Sequence, residues 1–285
     1  MADAFRRPFG LFLQGGGALG AWQIGALEAL DGAGLRFDAV MGYSIGVVNG
    51  TALAFGRLPE ALAHWRRLDG GAMKFRPRLR PFSLFSPEPL RSFFDEARDD
   101  EAAKSALKID LTVVTACPDE GAPINARYTP GARDGWDAPL VEHAAASCAV
   151  PLVFPPVDLD YRGRRVRLRD GGIPMRRPLD FSPLSRCADL LVLEMVRADE
   201  RGRRERAPWR AIDQASREAG RELIDEGLAA LLRGPRPPRA YRLSPSRRLE
   251  PMMLDFRAAG VRDLLARGGA DARAFLASPG SWAAS

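Results

Sequence analysis

FGLFLQGGGALGAWQIGALEAL, residues 9–30, decides the fold class. FGLFLQ is a short apolar run closed by three glycines, and ALGAWQIGALEAL carries apolar residues at helical spacing up to a stop at Gly32. The stretch therefore reads as strand, tight turn and helix. FDAVMG follows as a second buried strand, and SIGVVNGTALAFG as an apolar helix ending at Gly56. Together they form a parallel βαβ unit, and the class is α/β.

Outward from this unit the alternation loosens over residues 57–108. A helix is expected around PEALAHWRRL, then the proline-rich FRPRLRPFSLFSPEP and the amphipathic LRSFFDEARDD, the whole serving as a cap over a site. Strand signals return at DLTVVTAC, INARYT, RVRLRD and DLLVLEMV. A charged helix is expected at about 209–233, and the tail MMLDFRAAGVRDLLARGGADARAFLA reads as two short helices. No internal repeat or low-complexity linker marks a boundary. The 285 residues are expected to form a single domain, with its motifs within about 9–200 and a helical tail from about 209.

Composition narrows the class. With 46% apolar residues the chain can bury a large core. Cys117, Cys148 and Cys187 are odd in number and lack C-x-x-C spacing, which indicates neither a disulfide framework nor a zinc site and fits a reducing compartment. The N-terminus holds too short an apolar run for a signal peptide or a membrane span, so a cytoplasmic protein is expected. The net charge of +6 rests on arginine, dense in RPRLR (76–80), RGRRVRLR (162–169), RADERGRRER (197–206) and RGPRPPRAYR (233–242). These patches are separated and lack interleaved aromatics, which argues against a nucleic-acid site.

The chemistry concentrates in three places. Gly15, Gly17 and Gly20 fit the G-x-G-x-x-G spacing of a dinucleotide-binding turn, with Asp38 about where such a fold keeps its ribose-binding acid. Gly42-Tyr43-Ser44-Ile45-Gly46 is G-x-S-x-G at a strand-to-helix junction, the context of a nucleophile elbow. The sharp turn brings residues two before and two after the serine together, a place for Gly42 and Gly46. It also leaves Ser44 at a helix N-terminus that favours negative charge. A serine needs a base. The α/β-hydrolase order puts a histidine after the acid, yet His64 and His143 are the only histidines and none follows residue 143. The next candidate is Asp170 in LRDGGIP, at a strand end and followed by Gly171 and Gly172.

These blocks resemble the patatin-like phospholipase family. GGGALG, GYSIG and DGG stand in the family's order, and AAASCAVPLVFPPV (144–157) is similar to its A-S-x-A-x-P-x-x-F-x-P stretch, the resemblance running over about 9–180. Two positions depart from the family's pattern, Leu19 and Ala145, where many members carry a basic residue. The resemblance implies a three-layer α/β/α fold with a mostly parallel central sheet. It also implies a catalytic dyad of Ser44 as nucleophile and Asp170 as base, with the N–H groups of Gly15, Gly16 and Gly17 as an oxyanion hole. The substrate would be a lipid or fatty-acyl ester, met at a lipid surface, with no metal or cofactor. Two other readings stay open on the residues: a Ser-His acyltransferase using Ser44 and His143, and a Rossmann-type nucleotide binder using Gly15, Gly17, Gly20 and Asp38.

Overall fold

The computed structural model describes residues 4–68, 75–79, 82–85, 99–132 and 136–282. In chain order the elements are β1 (Phe9–Leu13), α1 (Gly20–Gly32), β2 (Ala39–Gly42), α2 (Ile45–Ala54), α3 (Leu58–Arg67), β3 (Phe75–Leu79) and β4 (Phe82–Phe85). Then come α4 (Asp100–Ala106), β5 (Asp110–Cys117), β6 (Ala122–Tyr128), α5 (Leu140–Ser147), β7 (Val157–Tyr161) and β8 (Arg164–Asp170). The last are β9 (Asp189–Leu193), α6 (Pro208–Leu232), β10 (Arg239–Leu243) and α7 (Ala258–Ala277).

The main sheet runs β10-β9-β1-β2-β5-β8-β7, with β6 also paired to β5. Strands β10, β9, β1, β2 and β5 are mutually parallel, and β6, β8 and β7 extend the sheet antiparallel. The parallel strands β1, β2 and β9 are buried at every residue, which is why each reads as an unbroken apolar run. Their alternate side chains enter two separate cores. Leu11, Leu13 and Val40 pack with Trp22 of α1 and Leu264 of α7, while Phe12, Met41 and Val192 pack with Ile224 and Leu228 of α6. Helices thus cover both faces of a mostly parallel sheet, the three-layer arrangement expected.

Register places the functional turns side by side. Leu13 pairs with Gly42 on β2 and with Leu193 on β9, so the turns after β1 and β2 leave the same edge one strand apart. From β1 the chain builds β2 and β5 to one side and later returns to build β9 and β10 on the other. The glycine segment after β1 therefore lies at the point where strand order reverses, the usual ligand position in such sheets.

The tail corrects one expectation. Gly268-Gly269 does not divide two short helices; α7 runs unbroken through it, packed along α1. A Cβ on Gly268 would lie 1.8 Å from the Trp22 carbonyl oxygen and one on Gly25 would lie 2.2 Å from that of Leu265, so the glycines let two backbones approach. Gly268→Ala is expected to destabilise the protein by about 2 kcal/mol despite its better helix propensity, lowering Tm by several degrees in a thermal melt. Gly269→Ala, whose new methyl meets the flexible end of Arg273 at 3.3 Å and the Gly25 carbonyl oxygen at an ordinary contact distance of 3.6 Å, should leave Tm unchanged or raise it. Equal effects at the two positions would refute the close-contact explanation.

Within the region read as a cap, α3 forms as expected, and the proline-rich part holds the antiparallel hairpin of β3 and β4. All but the last two residues of LRSFFDEARDD, expected to be amphipathic, lie outside the described residues. β7 and β10 were not anticipated. VDLDY and RAYRL are short and carry charges between their apolar residues, so neither forms a buried run.

Candidate functional site

The elbow follows from steric limits. Ser44 caps α2 with φ 53° and ψ −132°, a strained left-handed conformation for a residue with a side chain. A Cβ on Gly46 would lie 2.3 Å from the Leu13 carbonyl oxygen, and one on Gly42 would lie 3.1 Å from Gly46, so the turn closes as tightly as its glycines suggested. Residues 147–149 supply a tie the sequence reading missed. The Ser44 N–H donates to the Ser147 carbonyl at 3.1 Å and to Ser147 Oγ at 3.0 Å, while that hydroxyl donates to the Val114 carbonyl at 2.6 Å. The same segment accepts the Asp170 N–H at Ala149 O (3.2 Å) and the Gly171 N–H at Ser147 O (3.3 Å). The AAASCAVP block thus fixes serine and aspartate to one backbone strap. Nothing in the letters separates this serine from an ordinary helix-end serine.

Asp170 ends β8, opposite Thr115 of β5. Its Oδ1 accepts the Gly172 N–H at 2.8 Å, and its Oδ2 is buried with no hydrogen bond formed. Burial pushes the carboxyl pKa up to about 6, against the Ser44 hydroxyl and the Gly172 N–H, which pull it down. The Ser44 hydroxyl thus lies near the Asp170 carboxyl without a fully formed hydrogen bond, an arrangement that commonly tightens only when substrate binds.

The glycine segment faces the same space. Gly17 is held at φ 55° by the Met253 loop: the Ala18 N–H donates to the Met253 carbonyl at 2.7 Å, and a Cβ on Gly17 would come within 2.0 Å of that oxygen. Among the described residues the Gly16 and Gly17 N–H groups find no acceptor. The Gly15 N–H and the Gln14 side chain lie near the Tyr43 hydroxyl, which donates to the Gly220 carbonyl at 3.4 Å. Burial, reinforced by the Asp170 charge, raises the Tyr43 pKa far above its usual value, so this hydroxyl stays neutral. Gln14 is fixed in turn by accepting the Met195 N–H at 2.6 Å.

Ser44, Asp170, Gly15, Gly16, Gly17 and Gly172 all line one cavity of about 1260 Å³. Gly42, Gly46 and Gly171 stand behind it, where a side chain would meet the backbone of Leu13, Gly46 or Val114. The rest of the wall is largely apolar, from Leu19, Ile45, Trp65, Val150, Phe154 and Phe256 among others. Leu19 therefore contributes an apolar surface, and Ala145 is buried in α5. The volume suits a fatty-acyl chain, and a hydroxyl beside a buried carboxylate with free N–H donors nearby suits attack on a carbonyl carbon.

The two rival readings lose their key residues. His143 is fully buried away from the cavity, its Nε2 2.9 Å from Thr115 Oγ1 and its Nδ1 3.0 Å from the Tyr128 hydroxyl. Burial pushes its pKa down to about 3, and both ring nitrogens are occupied within the core. His64 does line the cavity, from α3, with its pKa lowered by burial and by Arg67. Asp38 precedes β2, at the opposite edge of the sheet from the glycines, where it accepts the Phe9 N–H at 2.6 Å and pairs with Arg7. It cannot reach a ribose bound at Gly15–Gly20.

The sequence matches the patatin-like phospholipase family over residues 11–181. Uncharacterized NTE family proteins of Mycobacterium bovis and Mycobacterium tuberculosis are 30% identical to it over 195 residues, 67% of this chain and 50% of theirs. The chain thus spans about half the length of the curated relatives it matches. Among solved structures, VipD from Legionella pneumophila is similar with 12% identity and a TM-score of 0.45, over 94% of this chain and 67% of that one. The type III effector protein ExoU is similar with 14% identity and a TM-score of 0.43, over 95% and 54%.

Proposed function

We propose that this chain, which belongs to the patatin-like phospholipase family, is a serine hydrolase of lipid or fatty-acyl esters working through a Ser44–Asp170 dyad. One observation carries the reading: the elbow serine and a buried carboxylate of raised pKa line one large apolar cavity with N–H groups that have no acceptor among the described residues. In this mechanism Ser44 Oγ attacks the ester carbonyl carbon as its proton passes to Asp170 Oδ2. The negative charge collects on the carbonyl oxygen, held by the N–H groups of Gly15, Gly16 and Gly17 beside the N-terminal end of α2. One such donor is commonly worth about 3 kcal/mol in the transition state.

Collapse of the tetrahedral species breaks the ester C–O bond, and Asp170 returns its proton to the leaving alkoxide. Water then attacks the acyl-serine with Asp170 again as base, releasing the fatty acid. A carboxylate with a pKa near 6 is ionised at neutral pH and more basic than an exposed aspartate. The substrate comes from a lipid aggregate, since the cavity wall takes an acyl chain. Among the described residues no helix is long and apolar enough to cross a membrane.

A fluorophosphonate probe tests the nucleophile directly. Incubation is expected to add one phosphonyl group per folded chain, on the peptide containing Ser44. A folded protein that stays unlabelled, or one labelled elsewhere, would remove Ser44 from this role.

A further inference from the structure

The described residues include four large apolar side chains that are half or more exposed: Leu152 (64%), Trp209 (63%), Ile212 (70%) and Leu254 (50%). All four lie on the lining of the Ser44 cavity. They come from three separate segments: the loop after α5, the first turns of α6 and the loop before α7. Exposed apolar residues scattered over a surface need no explanation, but four gathered at one opening do. Leu152 adds a second observation. It sits at φ 69°, a conformation that disfavours a bulky side chain, yet no core packing holds that side chain.

Charge identifies the occupant. Trp209 is the second residue of α6 and Ile212 follows one turn later on the same face. Around them Arg204, Arg206 and Arg210 are exposed and form no salt bridge among the described residues. Exposed tryptophan and aliphatic side chains flanked by arginines match the interface of an anionic bilayer, where indole rings sit at headgroup level and cations meet phosphate. A protein partner seated there would stopper the cavity, whereas a bilayer would deliver an acyl chain into it.

We infer that Leu152, Trp209, Ile212 and Leu254 form a lipid-docking rim that seats the cavity mouth on anionic phospholipid surfaces. This rests on the ester-hydrolase reading for its purpose, but its test does not depend on turnover. Ser44→Ala protein is mixed with vesicles of phosphatidylcholine, with and without phosphatidylserine, and the bound fraction is read by sedimentation and by the blue shift of tryptophan emission. Binding is expected to be stronger with phosphatidylserine. Ile212→Ser with Leu254→Ser should cut it roughly tenfold or more, and Arg206→Ser with Arg210→Ser should abolish the preference for phosphatidylserine. Failure to bind any vesicle, or equal binding by the apolar variants, would overturn docking. So would sedimentation velocity showing that the apolar changes dissociate a dimer, because the rim would then be a self-association surface. Hydrolysis of a soluble nitrophenyl ester by the wild type is scored separately. Turnover without vesicle binding removes the rim and keeps the hydrolase, and binding without turnover does the reverse.

Discussion

Ser44→Ala is expected to lower hydrolysis of a short-chain nitrophenyl ester by at least about a thousandfold while leaving the fold intact. Among the described residues the other serine on the cavity wall, Ser216, donates its hydroxyl to the Ile212 carbonyl at 3.0 Å, and only Ser44 stands against the Asp170 carboxyl, so its removal takes away the covalent route. The substitution is structurally mild. Alanine keeps a Cβ at the strained φ of 53°, and the ties to Ser147 run through the Ser44 backbone N–H, which the change leaves in place. Circular dichroism and Tm should therefore match the wild type. Ser44→Gly relieves the positive-φ strain and should be equally inactive but somewhat more stable. That divergence between activity and Tm is what a strained nucleophile predicts. A folded Ser44→Ala protein retaining activity within a factor of a few would exclude Ser44 as the nucleophile.

The parts legible in sequence are those governed by short-range rules. β1, β2 and β9 are buried on both faces, so they stand out as apolar runs, and the elbow glycines follow from a turn only five residues long. Pairings over long separations left no such trace. The Gly268 contact with Trp22 looks, in one dimension, like a helix break. His143 looks like a free base until Thr115 and Tyr128 are seen on its two nitrogens. Ser147, which ties the elbow to the Asp170 turn, is one of many serines. The rim residues are equally hidden, because a leucine or tryptophan in a sequence carries no mark of whether the fold buries it.

Asp170→Asn is expected to reduce kcat by about 100- to 10,000-fold, the usual contribution of a general base, and at neutral pH to make the protein more stable. Both effects come from the same burial. The fold raises the Asp170 pKa to about 6 from an ordinary carboxylate's value near 4, so the native state favours the protonated form. The stability this provides is fully present below about pH 4 and is lost as pH rises through 6. At pH 7 and above the native state carries an ionised, buried carboxylate at a cost of roughly 2 to 3 kcal/mol. Asparagine removes the charge and still accepts the Gly172 N–H, so its Tm should exceed the wild type's at pH 7.5 and converge with it near pH 4. Wild-type kcat/KM should fall about tenfold per pH unit below pH 6, because the base must be ionised to act. The position of this acid limb separates the candidates: a limb near pH 6 that vanishes with Asp170→Asn fits the buried aspartate, since His143, with its pKa near 3, would stay a free base far below it. An Asp170→Asn enzyme that keeps its rate, or a wild-type profile flat down to pH 4, would show that the proton goes elsewhere.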